Sequence, residues 1–251
     1  MPNISFENVT YLYTNKKNVE VVAIKDVSVS FKDKSFSVIL GSSGSGKTTL
    51  LRLIAGLMDA YEGKILLDNR NIEELSVAER QLAYVDQNYV LYPHMTIFDN
   101  IAFPLKNLKA SREEIIRRVY AVAEELDLKA CLFRKPKYLS YGQRQRASLA
   151  RALIKNAKIY LFDEPFSNVD PQRRSEERIF IKKLMNKHNA TVIYVTHDIQ
   201  EALSLADQIF VMDEGQIVLS GNPQEIFESD NELINSYKKM NYDEKEFKAE
   251  S

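Results

Sequence analysis

The sequence predicts an α/β fold with a small, partly antiparallel sheet beside its core and a helical segment inserted within it. Three observations lead there. Short β-rich runs, Lys158-Ile-Tyr-Leu-Phe162, Thr191-Val-Ile-Tyr-Val195 and Gln208-Ile-Phe-Val-Met212, are separated by helical segments, as a parallel sheet requires. A second group, Val21-Val-Ala-Ile24, Val27-Ser-Val-Ser-Phe31 and Lys64-Ile-Leu-Leu67, lies between Ile4 and about Asp68 and suggests the small sheet. The character changes from about residue 89 to 155. There Ser111-Arg-Glu-Glu114 is a capping-box pattern, and Ile115, Ile116, Val119, Val122, Ala123 and Leu126 recur at helical spacing.

The run Gly41, Ser42, Ser43, Gly44, Ser45, Gly46, Lys47, Thr48 spells G-x-x-x-x-G-K-[ST] between an apolar strand and the apolar segment Thr49 to Ala55. That is the strand, loop and helix context of a phosphate-binding loop. Its glycines let backbone N–H groups wrap a phosphate chain, and the helix that follows adds its positive end. Lys47 can then reach the β- and γ-phosphates, and the Thr48 hydroxyl suits Mg²⁺. The expected fold is therefore a P-loop nucleoside-triphosphatase core, with Gly41 through Thr49 as the binding run.

Length and composition bound the rest. The 251 residues suffice for one large domain, expected over 1–235 with the helical subdomain inside it. Residues 236–251 are charged, poor in aliphatics and expected to be a mobile tail. With 45% hydrophobic and 27% charged residues and a formal net charge of −1, the chain reads as an ordinary soluble protein. It lacks the basic excess needed to grip a nucleic-acid backbone, so no nucleic-acid partner is expected. No apolar stretch approaches the roughly 18 residues of a membrane span. The start, Met1 to Glu7, has neither the basic nor the apolar region of a secretory signal. A cytoplasmic location is expected. The single cysteine, Cys131, cannot form an internal disulfide and reads as core packing between Ala130 and Leu132.

Two further groups carry chemistry. Ile159-Tyr-Leu-Phe162 delivers Asp163 and Glu164 at a strand end, where Asp163 suits Mg²⁺ and Glu164 is available as a general base. In Leu139-Ser-Tyr-Gly-Gln143, Ser140 and Gln143 form an S-x-x-Q capping box. Ser140, Gly142 and that helix N-terminus can equally form a second anion site; the two readings are compatible.

The set resembles the nucleotide-binding subunit of an ATP-binding cassette (ABC) transporter over nearly its whole length. The resemblance is carried by Tyr13 in Val9-Thr-Tyr-Leu-Tyr13, the phosphate loop, Gln87 in Val85-Asp-Gln87 and the Leu139-Ser-Tyr-Gly-Gln143 signature. It continues with Asp163-Glu164-Pro165, Ser167-Asn-Val-Asp170 and His197 in Val195-Thr-His-Asp198. A lone Tyr, Gln or His is more often surface or core, but the order and spacing of the set are specific.

The resemblance implies ATP with Mg²⁺, and two chains packed head to tail around two ATP molecules, the partner being a second copy or a paralogous subunit. Tyr13 would stack on adenine, and Ser140, Gly142 and Gln143 of one chain would cap the ATP held by the other's loop. Thr48, Gln87 and Asp163 would hold Mg²⁺, with Gln87 also on the attacking water. His197 would contact the γ-phosphate and hold Glu164, and Asp170 would link the two sites. The reaction implied is attack of water on the γ-phosphate.

More narrowly, Leu91-Tyr-Pro-His94-Met-Thr-Ile-Phe-Asp-Asn100 and Leu139 to Arg146 are similar to sugar-type, iron and polyamine importer subunits. That implies transmembrane permease partners, an external solute-binding protein acting indirectly, and a place at the cytoplasmic face of the membrane. Tyr89-Val-Leu-Tyr92-Pro93 would form the groove for the permease's helix or fill the start of the helical insert, and His94 reads as a structural part of that loop. Many sugar-type subunits carry a C-terminal regulatory domain, which this chain is expected to lack. An exporter subunit would share every catalytic residue, and soluble ABC ATPases outside transport resemble longer, coiled-coil or tandem forms. One departure stands out. Tyr141 replaces the signature's usual first glycine, and it is expected to be tolerated because Ser140 and Gly142 are kept.

Overall fold

A computed structural model describes residues 3–14, 20–58, 62–76, 78–167 and 169–239. Two sheets organise them. The antiparallel sheet contains β1 (Ile4–Thr14), β2 (Glu20–Phe31), β4 (Glu62–Leu67) and β5 (Arg70–Asn71), in the order β2-β1-β4-β5. The larger sheet contains β3 (Phe36–Leu40), β6 (Leu82–Val85), β7 (Ile159–Asp163), β8 (Thr191–Thr196), β9 (Gln208–Asp213) and β10 (Gln216–Gly221), in the order β10-β9-β3-β8-β7-β6. Its strands are parallel except for the edge strand β10.

Every residue of β3, β7 and β8 is buried, as in a parallel sheet covered on both faces. The period of two assigns alternate side chains to opposite faces. Val38, Leu40, Tyr160, Phe162, Val192 and Tyr194 share one core with the helical insert. Ile39, Leu161, Ile193 and Val195 share another with Leu50, Leu51 and Ile54 of α1 (Lys47–Ala55) and with Ile4, Phe6 and Phe31 of the antiparallel sheet. Helix α1 is thus clamped between the two sheets. It ends at Gly56, φ 70°, whose N–H donates to Leu53 O (3.1 Å) while Leu57 N–H donates to Arg52 O (3.0 Å).

Between β6 and β7 lie α2 (Ile97–Asn107), α3 (Arg112–Glu125) and α4 (Tyr141–Leu153), so the expected insert is helical from Ile97 onward. Ser111 caps α3 by accepting from Glu114 N–H (3.2 Å). Only half of the expected capping box forms, because Glu114 Oε1 accepts from Arg118 (3.3 Å) instead. Of the expected apolar face, Ile115, Val119, Ala123 and Leu126 are buried, whereas Ile116 stands 40% exposed. Cys131 is buried in this core, as expected.

Helices α5 (Pro171–Lys187), α6 (Ile199–Leu205) and α7 (Pro223–Glu228) complete the order. The tail expected to begin at Ser236 does not begin there. Residues 232–239 are helical, with Ile234 and Tyr237 buried in the same core as the parallel sheet. The rest of that tail, 240–251, lies outside the described residues. Among the described residues no helix is long and apolar enough to cross a membrane.

Candidate active site

The C-terminal ends of β3, β7 and β8 deliver three functional segments side by side, as open α/β sheets do. From β3 the chain enters the phosphate loop. Gly41 N–H donates to Thr196 O (3.2 Å) at the end of β8, and Gly215 N–H donates to Ser45 O (3.0 Å). Two of the glycines are required by space. A Cβ on Gly46, φ 106°, would lie 2.4 Å from Ala23 O, and one on Gly41 would lie 2.5 Å from Met212 O. Lys47 is only 4% exposed, and its ammonium donates to Gly41 O (2.9 Å) and Ser42 O (2.8 Å). Burial lowers its pKa, opposed by the charge of Glu164.

Asp163 closes β7 and is 5% exposed. It accepts from Thr48 Oγ1 (2.9 Å) on one oxygen and from Tyr84 OH (2.6 Å) on the other. Burial, then the hydrogen bond to Asp163, raises the Tyr84 phenol far above its usual value, so it stays a donor. Thr48 and Asp163 together offer hard oxygen ligands, the kind Mg²⁺ takes. No group of three or more His, Cys, Asp or Glu side chains among the described residues could hold a metal alone. An ion here would have to share its shell with phosphate and water, which also fits Mg²⁺.

Glu164 follows in a left-handed conformation, φ 43°, with its N–H on Val195 O (3.1 Å). Its carboxylate lies 3.5 Å from Lys47 Nζ and 3.1 Å from His197 Nδ1. The bond to His197 holds the Glu164 pKa below its usual value, and the same bond holds the His197 pKa above its own. The resulting triad is a cation, a carboxylate and an imidazole at the mouth of a phosphate loop. It can hold an anion, accept a proton and stabilise charge.

Tyr13 reaches the same region: its hydroxyl shares a hydrogen bond with Thr49 Oγ1 (3.0 Å), and its ring meets Tyr11 edge-on. Gln87 is less direct. Its amide donates to Ser167 Oγ (3.1 Å), not to Thr48 or Asp163. Asp170 caps α5 by accepting from Gln172 N–H (3.0 Å). The Asp170 loop reaches the His197 loop through Arg174, which donates to Val169 O (3.0 Å) and lies 3.6 Å from Asp198. Asn168, within the expected Ser167 to Asp170 motif, lies outside the described residues.

The signature stands apart from this cluster. Ser140 and Gln143 form both halves of their capping box at α4, at 3.2 and 3.1 Å. A Cβ on Gly142 would meet nothing within 4 Å, so nothing in the described chain requires a glycine there. Tyr141, expected to be a passive departure, packs its ring edge-on against Tyr89 at 6.0 Å.

Several contributors were not foreseen from sequence. Tyr84 is one. Glu201 is another, a buried carboxylate that accepts from Tyr194 OH (2.7 Å) and Thr196 Oγ1 (2.8 Å) and steadies the strand end before His197. Asn100 is a third: it holds the 92–96 turn through Tyr92 N–H (2.7 Å) and Thr96 O (2.9 Å). Of the apolar run after Gln87, Tyr89 is buried and Val90 exposed. Tyr92 lines a cleft of about 1150 Å³ with Tyr84, Phe103, Leu108, Arg117 and Arg151, and no phosphate-loop residue is in its lining.

The family model described as ABC transporter matches residues 24–167, more than half of the chain. An ABC transporter ATP-binding protein of Bacillus subtilis, YurJ, is 44% identical over 90% of this chain and 60% of its own length. The sn-glycerol-3-phosphate import ATP-binding protein UgpC of Bordetella parapertussis is 46% identical over 91% of this chain and 62% of its own. The chain thus spans about three fifths of the length of these curated relatives. Among solved structures, the dimeric bacterial ABC transporter cassette MJ0796 superposes with a TM-score of 0.78 at 31% identity, covering 88% of this chain and 98% of that one. With the family model covering more than half of the chain and the solved cassette superposing over 88% of it, the chain belongs to the ABC transporter family.

Proposed function

We propose that the chain is the ATP-hydrolysing subunit of a membrane ABC importer, a peripheral subunit at the cytoplasmic face working on a permease supplied by a solute-binding protein. The observation that carries hydrolysis is the position of Glu164 between Lys47 (3.5 Å) and His197 (3.1 Å). Import is supported by the likeness to a protein named for it. The cleft beside Tyr92 supports a docking place for the permease.

In this reading Tyr13 stacks on adenine and the loop N–H groups with Lys47 take the β- and γ-phosphates, whose oxygens replace Gly41 O and Ser42 O as partners of the ammonium. Thr48 and Asp163 would hold Mg²⁺, which would supply neutralisation of the phosphate charge. Gln87 turns from Ser167 toward the water. Glu164, ionised because its pKa is depressed, takes a proton from the water as the new O–P bond forms and the bond to ADP breaks. His197, its pKa raised, steadies both the carboxylate and the γ-phosphate. Ser140, Gly142 and Gln143 face the nucleotide of a second chain, with Asp170 between the two sites; the open space around Gly142 supports a partner's approach.

Glu164→Gln tests the assignment. It should keep ATP affinity within about threefold while hydrolysis falls by roughly 10² to 10⁴. Hydrolysis at the wild-type rate would remove Glu164 from the mechanism.

A further inference from the structure

Tyr89 is the one aromatic residue among the described residues with a positive φ, 45°. A bulky side chain in the left-handed region is strained, and its surroundings must hold it there. Two contacts do so. Its hydroxyl donates to the carbonyl of Pro165, and its ring meets Tyr141 edge-on, with centroids 6.0 Å apart and planes at 78°. Pro165 directly follows Glu164, itself at φ 43°. Tyr141 is the first residue of α4 and follows Ser140. Two side chains therefore bridge the helix end that carries Ser140 and the backbone that carries Glu164. The bridge starts two residues after Gln87. The Tyr141 hydroxyl is buried without a hydrogen-bond partner, so the ring, not the hydroxyl, makes this contact.

We propose that Tyr141 and Tyr89 are positioning residues that transmit the state of the Ser140 helix end to the Glu164 carboxylate of the same chain. The inference rests on the hydrolytic reading above. Under it, the signature of a chain serves its partner's nucleotide while Glu164 serves its own. The aromatic pair then lets engagement at one ATP set the geometry of hydrolysis at the other. A strained Tyr89 suits this role, because a small shift of α4 can be relayed as a change at Pro165 rather than absorbed by a slack loop.

The test is steady-state ATP hydrolysis by the full chain over a range of MgATP, with a thermal melt for each variant. Wild type comes first: if it hydrolyses no ATP, the functional reading fails, whereas unchanged variants of an active wild type defeat this inference alone. Tyr89→Phe and Tyr141→Leu should each lower kcat about tenfold with KM within about twofold, since positioning acts on the transition state. Tyr141→Phe, which keeps the ring, should stay within about twofold of wild type. The double variant Tyr89→Phe/Tyr141→Leu should be about as slow as the slower single, because both changes interrupt one path. The proposal is overturned if both singles keep kcat within about twofold or if their losses multiply in the double variant. If Tyr141→Leu fails to fold, Tyr89→Phe decides alone: an unchanged kcat overturns the proposal, and a selective kcat loss sustains it.

Discussion

The phosphate loop and the Ser140 signature are both anion-site candidates, yet their internal bonding differs. Around the loop, Lys47, Thr48, Asp163, Glu164 and His197 are bonded to one another or to loop carbonyls, and Lys47 and Asp163 are almost fully buried. Around the signature, the side chains of Ser140 and Gln143 bond to each other's backbone N–H, and a Cβ on Gly142 would meet nothing within 4 Å. A preorganised cluster of charges can bind and react with little rearrangement. At the capped helix end, by contrast, nothing in the described chain requires the glycine at 142. The contrast teaches that, under the proposed reading, the two regions would be unequal halves of a site, one carrying the chemistry and the other carrying closure.

The contrast can be broken most severely at Lys47. Lys47→Ala removes the one buried ammonium that bridges loop and Glu164, so ATP affinity measured by calorimetry should fall by well over tenfold, more than about 1.4 kcal/mol. An affinity within tenfold of wild type would mean the loop does not depend on that charge.

A smaller change sharpens the picture of Asp163. Tyr84→Phe deletes the 2.6 Å donor to its second oxygen and should cost about 1–2 kcal/mol in a denaturant melt, with a weaker dependence of hydrolysis on Mg²⁺. No loss of stability would show that water replaces the phenol freely.

The smallest effect concerns pH. His197 has its pKa raised above 6.5 by Glu164, so the stability it contributes is fully present below pH 6.5 and is lost as pH rises through the raised value. Glu164, depressed below 4.5, contributes stability present above pH 4.5 and lost as pH falls through its lowered value. Comparing wild type with His197→Ala in melts between about pH 5 and pH 8 should therefore show a gap that closes toward the alkaline end. With the His197 side chain 47% exposed, solvent screening keeps that gap below about 1 kcal/mol. A gap that widens with pH would reverse the assignment of the ion pair.

What was legible in the sequence follows the range of the interactions involved. The phosphate loop is a local object: glycines, a strand before it and a helix after it suffice, and the structure has each in place. Asp163 and Glu164 were readable because a strand end presents them. Tyr84 was not, since its bond to Asp163 depends on the parallel register that pairs Tyr84 with Leu161 on a strand far along the chain. Tyr141 reads as an idle departure for the same reason; its partner Tyr89 lies before α2 and α3 in the chain. The tail was misjudged at Ser236 because composition averages over a segment, whereas two apolar side chains one helical turn apart, Ile234 and Tyr237, are enough to dock it. Gln87 was found as a residue, but its bond to Ser167 was not.

The division of labour between the two regions is tested most directly by the mass of Glu164→Gln in saturating MgATP, measured by light scattering during size exclusion, with and without Ser140→Arg. Ser140 sits on an exposed helix cap bonded to Gln143, outside the phosphate loop, so arginine there leaves the residues of the loop itself unchanged. If the signature of one chain closes the nucleotide site of another, Glu164→Gln runs as a dimer with ATP and as a monomer without it. Adding Ser140→Arg then returns it to a monomer that still binds ATP. A Glu164→Gln protein that stays monomeric in ATP, or a dimer indifferent to Ser140→Arg, would contradict the assignment of Ser140 and Gly142 to a neighbour's site.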